Sequence, residues 1–391
     1  MIATDASRLA ARRTLERLKR GVPPTDNITA LTVGMDRLSR KLNRLLQADC
    51  DQRWFFVVSE YGEGKSHFHS FSRSQSLNTG YAVASLDVNK DESAIHQPQR
   101  HLSVLLNSLE SPKPEFNSCQ GIVEIIRHWL EITPKQDVER VLNQLARTRS
   151  STHAGRDPDN FQSLVLQYVR DRNRGVADYY SLQRLLQYFS CEDLNAKGSY
   201  ARFAASFRFQ VIEQWLTATG HQGLYLFIDE VDNIVRQIHG KGHPACFRTL
   251  AWYCSSNTFQ QTRVVFAATP DVIQMLTSQK SYFQDNLTRQ ATVRPEEVKA
   301  FARWSKEFEE HLPFHNLRCP KLTSSLRTEL LHRVVNLHGQ AWGSTETDDK
   351  LSMLATIQNE NPRRWMRSVI HVLDTVQQSF CNGDCDPRKP R

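Results

Sequence analysis

An unbroken apolar run, Trp54-Phe55-Phe56-Val57-Val58, feeds directly into Ser59-Glu60-Tyr61-Gly62-Glu63-Gly64-Lys65-Ser66 and then His67-Phe68. Consecutive β-formers without polar alternation describe a strand buried on both faces, as in a parallel sheet. Residues 59–66 match G-x-x-x-x-G-K-[ST], except that Ser59 stands where the first glycine belongs. Gly62 and Gly64 let the backbone curl with its N–H groups pointing inward, and a helix opening at His67-Phe68 offers its N-terminus to a phosphate. Lys65 is expected to reach the β- and γ-phosphates of ATP and Ser66 to ligate Mg2+, with Ser59, Glu60, Tyr61, Gly62, Glu63, Gly64 and His67 completing the nucleotide-binding segment. Ser59 costs backbone freedom if its position needs a positive φ, and Glu63 has to turn its carboxylate away from the phosphates. A chance Gly-Lys-Ser turn would lack the strand before it and the helix after it.

Far downstream a second apolar run, Leu224-Tyr225-Leu226-Phe227-Ile228, ends in Asp229-Glu230. In a parallel sheet the carboxyl ends of the strands face the ligand, so both acids are expected beside the γ-phosphate. Asp229 would serve the metal through water, and Glu230 would orient or deprotonate the attacking water. Acid pairs at strand ends are common on their own, and it is the phosphate loop that gives this one a function. Val264-Val265-Phe266-Ala267-Ala268 is a further strand, and it places Thr269 to bond the lytic water or the γ-phosphate; a plain turn before Pro270 is the alternative. Asn361-Pro362-Arg363-Arg364-Trp365 starts a helix with proline suited to its first turn. Arg363 could reach the γ-phosphate from there or be an ordinary surface arginine. Arg289 and Arg294 are candidate fingers toward a neighbouring subunit.

Around these landmarks the chain reads as α/β. Residues 5–20 suggest a basic amphipathic helix with Leu9, Leu15 and Leu18 inward and Gly21 as its stop, ahead of the Pro23-Pro24 break. Residues 35–47 suggest another, with Leu38, Leu42, Leu45 and Leu46 at helical spacing. Tyr81 to Val88 reads as the strand after the phosphate loop. Helical periodicity then fills 92–220, through Leu102, Leu105, Leu106 and Leu109, then Ile122, Ile125, Ile126 and Leu130, then Phe161, Leu164, Leu166 and Val169. After residue 295 the sets are Val298, Phe301 and Trp304; Leu331, Val334, Val335 and Leu337; and Trp365, Ile370, Val372 and Leu373. The division expected is basic N-terminal helices over 1–50, a nucleotide-binding core over 51–294 with a helical insertion at about 92–220, and a helical lid with a basic tail over 295–391.

Bulk properties decide between classes. Hydrophobic residues at 39%, charged residues at 24% and a mean hydropathy of -0.52 argue against both extended disorder and a membrane protein, so a cytoplasmic chain is expected. The eight cysteines lack paired C-x-x-C spacing, so reduced thiols are expected; Cys381 and Cys385 in a polar tail read as incidental. The net charge of +8 permits contact with nucleic acid without establishing it. Much of that excess lies in residues 1–44, where Arg8, Arg12, Arg13, Arg17, Lys19, Arg20, Arg37, Arg40, Lys41 and Arg44 outweigh Asp5, Glu16, Asp26 and Asp36, and describe either a solvated helix face or a surface for DNA phosphates.

Taken in order, Val33-Gly34-Met35-Asp36, the phosphate loop, the Asp-Glu strand, Thr269 and Asn-Pro-Arg-Arg at 361–364 resemble AAA+ ATPases of the branch that includes origin-recognition initiators and STAND-type switches. The resemblance implies an ASCE-type AAA+ P-loop NTPase core, with a parallel sheet and helices on both faces, a helical insertion and a C-terminal helical lid. Ala11-Arg12-Arg13 through Arg20-Gly21-Val22-Pro23, Glu60 through Phe68, and Gly220-His221-Gln222-Gly223-Leu224 leading into Ile228-Asp229-Glu230-Val231 resemble, more closely, the BrxD-type ATP-binding proteins of bacterial BREX phage-defence systems. That implies an ATP hydrolase acting with other proteins of a defence complex, with no membrane, possible DNA contact and a possible homo-oligomer. A DNA-loading or regulatory AAA+ switch outside defence, with little or no turnover, stands as the alternative.

Overall fold

Every position of β1 (Trp54–Val58), β3 (Gly223–Asp229) and β4 (Thr262–Ala268) is buried, and β2 (Tyr81–Asp87) emerges only toward its end. Together with β5 (Asn316–Arg318) they form a five-stranded sheet in the order β2-β3-β4-β1-β5, in which β2 with β3, β3 with β4 and β1 with β4 pair in parallel. Burial on both faces leaves no polar side to alternate with, which is why continuous apolar runs mark these strands. The computed structural model describes residues 5–91, 93–147, 157–175, 179–194, 199–238, 242–254, 259–278, 295–343, 354 and 361–383.

The chain divides into two compact units. One comprises Asn43–Val58 and Gln75–Leu317 and holds the sheet. Between β2 and β3 it carries the helices Pro98–Asn107, Gly121–Ile132, Lys135–Ala146, Asp157–Asn173, Tyr179–Ser190 and Ser199–Ala218. Their apolar faces share one core with Trp54, Phe56, Leu226, Ile228 and Phe266 of the sheet. The expected set on Asp157–Asn173 needs correction: Leu166 is 50% exposed, while Val165 and Tyr168 are buried with Phe161 and Leu164. A 3.6-residue period explains this, because positions 161, 164, 165 and 168 share a face that 166 leaves. Helix Pro295–His311 joins this unit through Phe308, stacked 5.3 Å from Trp54 and edge-on at 5.3 Å to Phe247. The side chains of Val298, Phe301 and Trp304 lie outside the described residues.

A buried polar cluster anchors the start of β4 and so fixes where that strand ends. Glu213 accepts from the N–H groups of Gln260 and Gln261 at 3.3 and 2.9 Å and from the Thr262 hydroxyl at 2.5 Å. Burial raises its carboxyl above the ordinary carboxylate range. Arg263, 1% exposed, donates through Nε to the Leu45 carbonyl at 2.7 Å. Buried ionisable groups persist only when hydrogen-bonded in this way.

The other unit comprises Met1–Leu42, Ser59–Ser74 and Arg318–Arg391. Helix Asp5–Lys19 packs Ala11 and Leu15 against Leu331, Val334, Trp365 and Val369 of helices Ser324–Trp342 and Pro362–Gly383. Leu9, expected inward, is 50% exposed; Ala11, Thr14 and Leu15 form the buried stripe instead. Gly21 ends this helix as expected, at φ 71°, with Val22 N–H bonded to the Arg17 carbonyl and Gly21 N–H to that of Leu18, the two bonds of a Schellman cap. No described helix is long and apolar enough to cross a membrane, and the described cysteines are free thiols.

Candidate functional site

The candidate phosphate loop begins where β1 ends, at Val58, and closes at helix Lys65–Asn78. Gly62 and Gly64 adopt φ of 84° and 116°, which L side chains rarely take, so glycine is needed at both. Ser59 has no positive φ, so serine at that position carries no such cost. The first helical bond runs from Phe68 N–H to the Gly64 carbonyl at 2.9 Å, and the amides of Lys65, Ser66 and His67 precede it without intrahelical acceptors. Donors gathered at the positive end of a helix suit an anionic phosphate. The Lys65 ammonium is held inside the loop, donating to the carbonyls of Ser59 at 2.7 Å and Glu60 at 3.2 Å and lying 4.9 Å from the centre of the Tyr61 ring. Glu63 Oε2 accepts the Glu60 N–H at 3.0 Å, which turns the acid back on the loop's own start. Cys319, which no motif flagged, faces Ser59; burial pushes its thiol up to about 11, so it stays protonated at neutral pH.

Segments from both ends of the chain brace this loop within the same unit. Met35 Cε lies 3.3 Å from where a Cβ on Gly64 would stand. The Thr32 hydroxyl donates to the Ile28 carbonyl at 2.8 Å, so toward His67 Nε2, 3.0 Å away, it is the acceptor and that nitrogen carries the proton. Burial lowers the His67 pKa to about 4, which keeps the ring neutral at physiological pH. Arg333, on helix Ser324–Trp342, donates to the carbonyls of Ala30 at 2.7 Å and Thr32 at 3.1 Å. Arg363 is exposed, and its stem lies along Gly21, where a Cβ would come within 3.1 Å of its Cγ and Cδ.

The acid pair and the threonine meet at one edge of the sheet. Ile228 pairs with Phe266, and Ala268 pairs with Val58, so β3, β4 and β1 all end on that edge. Asp229 is the last residue of its strand, and Thr269 and Ser59 come directly after theirs. Asp229 is 9% exposed and Thr269 2%. Asp229 Oδ1 accepts the Glu230 N–H at 2.7 Å, and Glu230 sits at φ 54°, a left-handed conformation unusual for a residue with a Cβ. Asn233, 6% exposed, donates through Nδ2 to the Val88 carbonyl at 2.7 Å and to Glu230 Oε2 at 2.9 Å, so it ties the acid to the end of β2. Sequence reasoning missed Asn233, whose only signal is a carboxamide three residues after the acid. It also missed Asp87, in register with Asp229 on β2; its side chain reaches solvent, yet desolvation raises its carboxyl above the ordinary value.

The phosphate loop and Arg363 therefore fall in one unit, and Asp229, Glu230 and Thr269 in the other. Arg289 and Arg294 lie outside the described residues. Part of the N-terminal basic stripe is engaged within its own unit: Arg12 donates to the Ala341 carbonyl and covers the Trp342 ring at 4.4 Å, Arg17 donates to the Pro23 carbonyl, and Lys19 pairs with Glu16 and Asp374. Arg8, Arg13 and Arg20 remain exposed.

A family model described as the BREX system ATP-binding protein BrxC/D matches residues 7–389. No curated protein and no solved structure matches the chain.

Proposed function

The chain belongs to the BREX system ATP-binding protein family, and from that membership we propose that it binds and hydrolyses Mg-ATP to drive a conformational change or assembly step in phage defence. One observation carries the reading: a loop with two left-handed glycines delivers a lysine and three uncommitted helix-N-terminal amides straight from the end of a buried parallel strand. The finer assignment to an ASCE-type AAA+ core is supported by the strand order, in which β4 with Thr269 stands between β1 and the acid-bearing β3.

In this mechanism the amides of Lys65 to His67 and the Lys65 ammonium bind phosphate oxygens, the ammonium exchanging the loop carbonyls for them. The Ser66 hydroxyl would ligate Mg2+ and the Asp229 carboxylate would serve it through water; the metal would supply neutralisation of charge on the phosphates. Glu230 accepts the proton of the attacking water, Thr269 orients that water or the γ-phosphate, and Arg363 senses the γ-phosphate. Only contacts that differ between the ATP and ADP states can shift a conformational equilibrium, and Arg363 is the residue proposed to make such a contact.

The tie from Asn233 to Glu230 favours a second reading, a nucleotide-dependent switch with slow turnover, because Oε2 of the acid is engaged by an amide at 2.9 Å rather than left for a water. DNA contact, partners within the defence system, self-association and a cytoplasmic location are parts of the same proposal, with exposed arginines such as Arg8, Arg13 and Arg20 meeting DNA phosphates. Steady-state phosphate release with and without duplex DNA tests the assignment. Lys65→Ala is expected to abolish nucleotide binding, and Glu230→Gln to keep binding while release falls about a hundredfold or more. Turnover by Glu230→Gln equal to that of the unchanged chain would remove Glu230 from the mechanism, and no release above Lys65→Ala would favour the switch.

A further inference from the structure

One side-chain amide joins the phosphate loop to the helix that carries Arg363. Asn361 Oδ1 accepts the N–H groups of Arg363 at 3.0 Å and Arg364 at 3.2 Å, and the Asn361 carbonyl accepts from Trp365 N–H at 2.9 Å. Asn361 is therefore the N-cap of helix Pro362–Gly383, with Pro362 at its first helical position. Only an oxygen can accept from backbone amides, so the chemistry of the cap fixes which end of the carboxamide faces which way. The other end, Nδ2, lies over Gly62: a Cβ there would stand 2.8 Å from it, closer than carbon and nitrogen approach without a shift. The amide thus reaches the loop backbone at the residue whose φ of 84° makes the loop's central turn.

We propose that Asn361 is a positioning residue that locks the Gly62 turn of the phosphate loop to the N-terminus of the helix bearing Arg363, so that the loop's shape and the placement of Arg363 are set together. The same helix is held two residues further on, where the Arg363 stem rests on Gly21. Two glycines from separate parts of the chain therefore receive neighbouring functional groups of one helix start. Rotating that helix or displacing it along its axis withdraws the amide from Gly62, and a change in the Gly62 turn pushes on the cap. Because Asn361 contributes through geometry to both the loop and the helix start, part of the effect of its removal should run through Arg363 and should disappear where Arg363 is absent.

The cap and the loop contact can be separated by substitution. Asn361→Ser keeps a good N-cap but has no amide to reach Gly62, whereas Asn361→Ala loses both. Hydrogen exchange on the full-length chain without nucleotide is the first readout. Asn361→Ser is expected to speed exchange of the 60–67 amides about tenfold and to leave residues 366–376 as they were, while Asn361→Ala speeds both. Unchanged loop exchange in Asn361→Ser would overturn the proposal.

The second readout rests on the proposed nucleotide function. Titration with a fluorescent ATP analogue should show about tenfold weaker binding for Asn361→Ser, and the further loss that Asn361→Ser causes in the Arg363→Ala background should be clearly smaller than about tenfold. Additive losses would mean that Asn361 acts independently of Arg363, and would overturn the coupling. If the unchanged chain failed to bind the analogue, the nucleotide reading would fall and the exchange result would still decide the structural claim.

Discussion

Glu230 offers a test in which stability and chemistry separate. A left-handed backbone costs a residue bearing a Cβ about 1–2 kcal/mol, and Glu230 holds that conformation at φ 54°. Its exposed carboxylate recovers about 1 kcal/mol through the bond from Asn233 at 2.9 Å. Glu230→Ala gives up that bond and keeps the strain, so it should destabilise the sheet-bearing unit by about 1 kcal/mol. Glu230→Gly gives up the same bond but relieves the strain, and should come back to within about 0.5 kcal/mol of the unchanged chain. Glycine should therefore be more stable than alanine by about 1 kcal/mol, the reverse of the usual order in which glycine is worse by about 0.5–1 kcal/mol. Guanidinium unfolding followed by the fluorescence of the buried Trp129, Trp215 and Trp252 reads this unit. Finding the alanine variant more stable than the glycine variant would refute the left-handed assignment and the idea that backbone strain is stored beside the acid pair.

Two further outcomes rest on the same kind of reasoning. His101, fully buried and bonded to the Tyr253 hydroxyl at 2.9 Å, and His221, 4% exposed, both have pKa values lowered to about 4, by burial first and, for His221, by Lys113 second. Above the unfolded value of 6.5 neither state binds the proton; below it the unfolded chain does so first, so stability should fall as pH drops from 6.5 toward 4, at roughly 1 kcal/mol per pH unit for each ring. Thermal melting from pH 7.5 to 5 reads this, and a flat profile would contradict it. Gly34→Ala meets both a φ of 67° and Leu326 Cδ1 at 2.6 Å, so it should cost about 2 kcal/mol or more, whereas Gly175→Ala, at φ 72° with nothing within 4 Å, should cost only about 1 kcal/mol. Equal melting shifts for the two would show that Leu326 does not pack on Gly34.

What could be read in advance depends on how local each signal is. The strands were legible because burial on both faces leaves an unbroken apolar run, and β1 occupies the five residues expected of it. The turn from β1 into helix Lys65–Asn78 was legible because its glycines, Gly62 and Gly64, are demanded by the backbone. The doubt over Ser59 could not be resolved from the motif, since whether a position needs a positive φ depends on the path of the whole turn; here that burden falls on Gly62 and Gly64. Leu9 and Leu166 were misplaced because leucine spacing was counted without smaller neighbours such as Ala11 and Val165, which bury more completely. The strained φ of Glu230 and its bond to Asn233 depend on how β3 leaves the sheet, which no spacing encodes.

The glycines of the phosphate-loop unit show most clearly where sequence reasoning stops. Gly21 was read as a helix stop and Gly62 as a point where the backbone curls, and both have the left-handed φ those readings call for. Each also receives a side chain from the C-terminal segment, Gly21 from Arg363 and Gly62 from Asn361, and Gly34 receives Leu326 from the same segment. The backbone requirement alone would tolerate asparagine at some cost, since asparagine enters the left-handed region more readily than other residues with a Cβ. The packing requirement would not, because any Cβ displaces the partner. Substitutions at these glycines should therefore loosen helices Ser324–Trp342 and Pro362–Gly383 far from the mutated residue in sequence, and Asn and Ala should be almost equally damaging at position 34. An asparagine at 34 that was well tolerated would mean that backbone freedom is all the glycine provides.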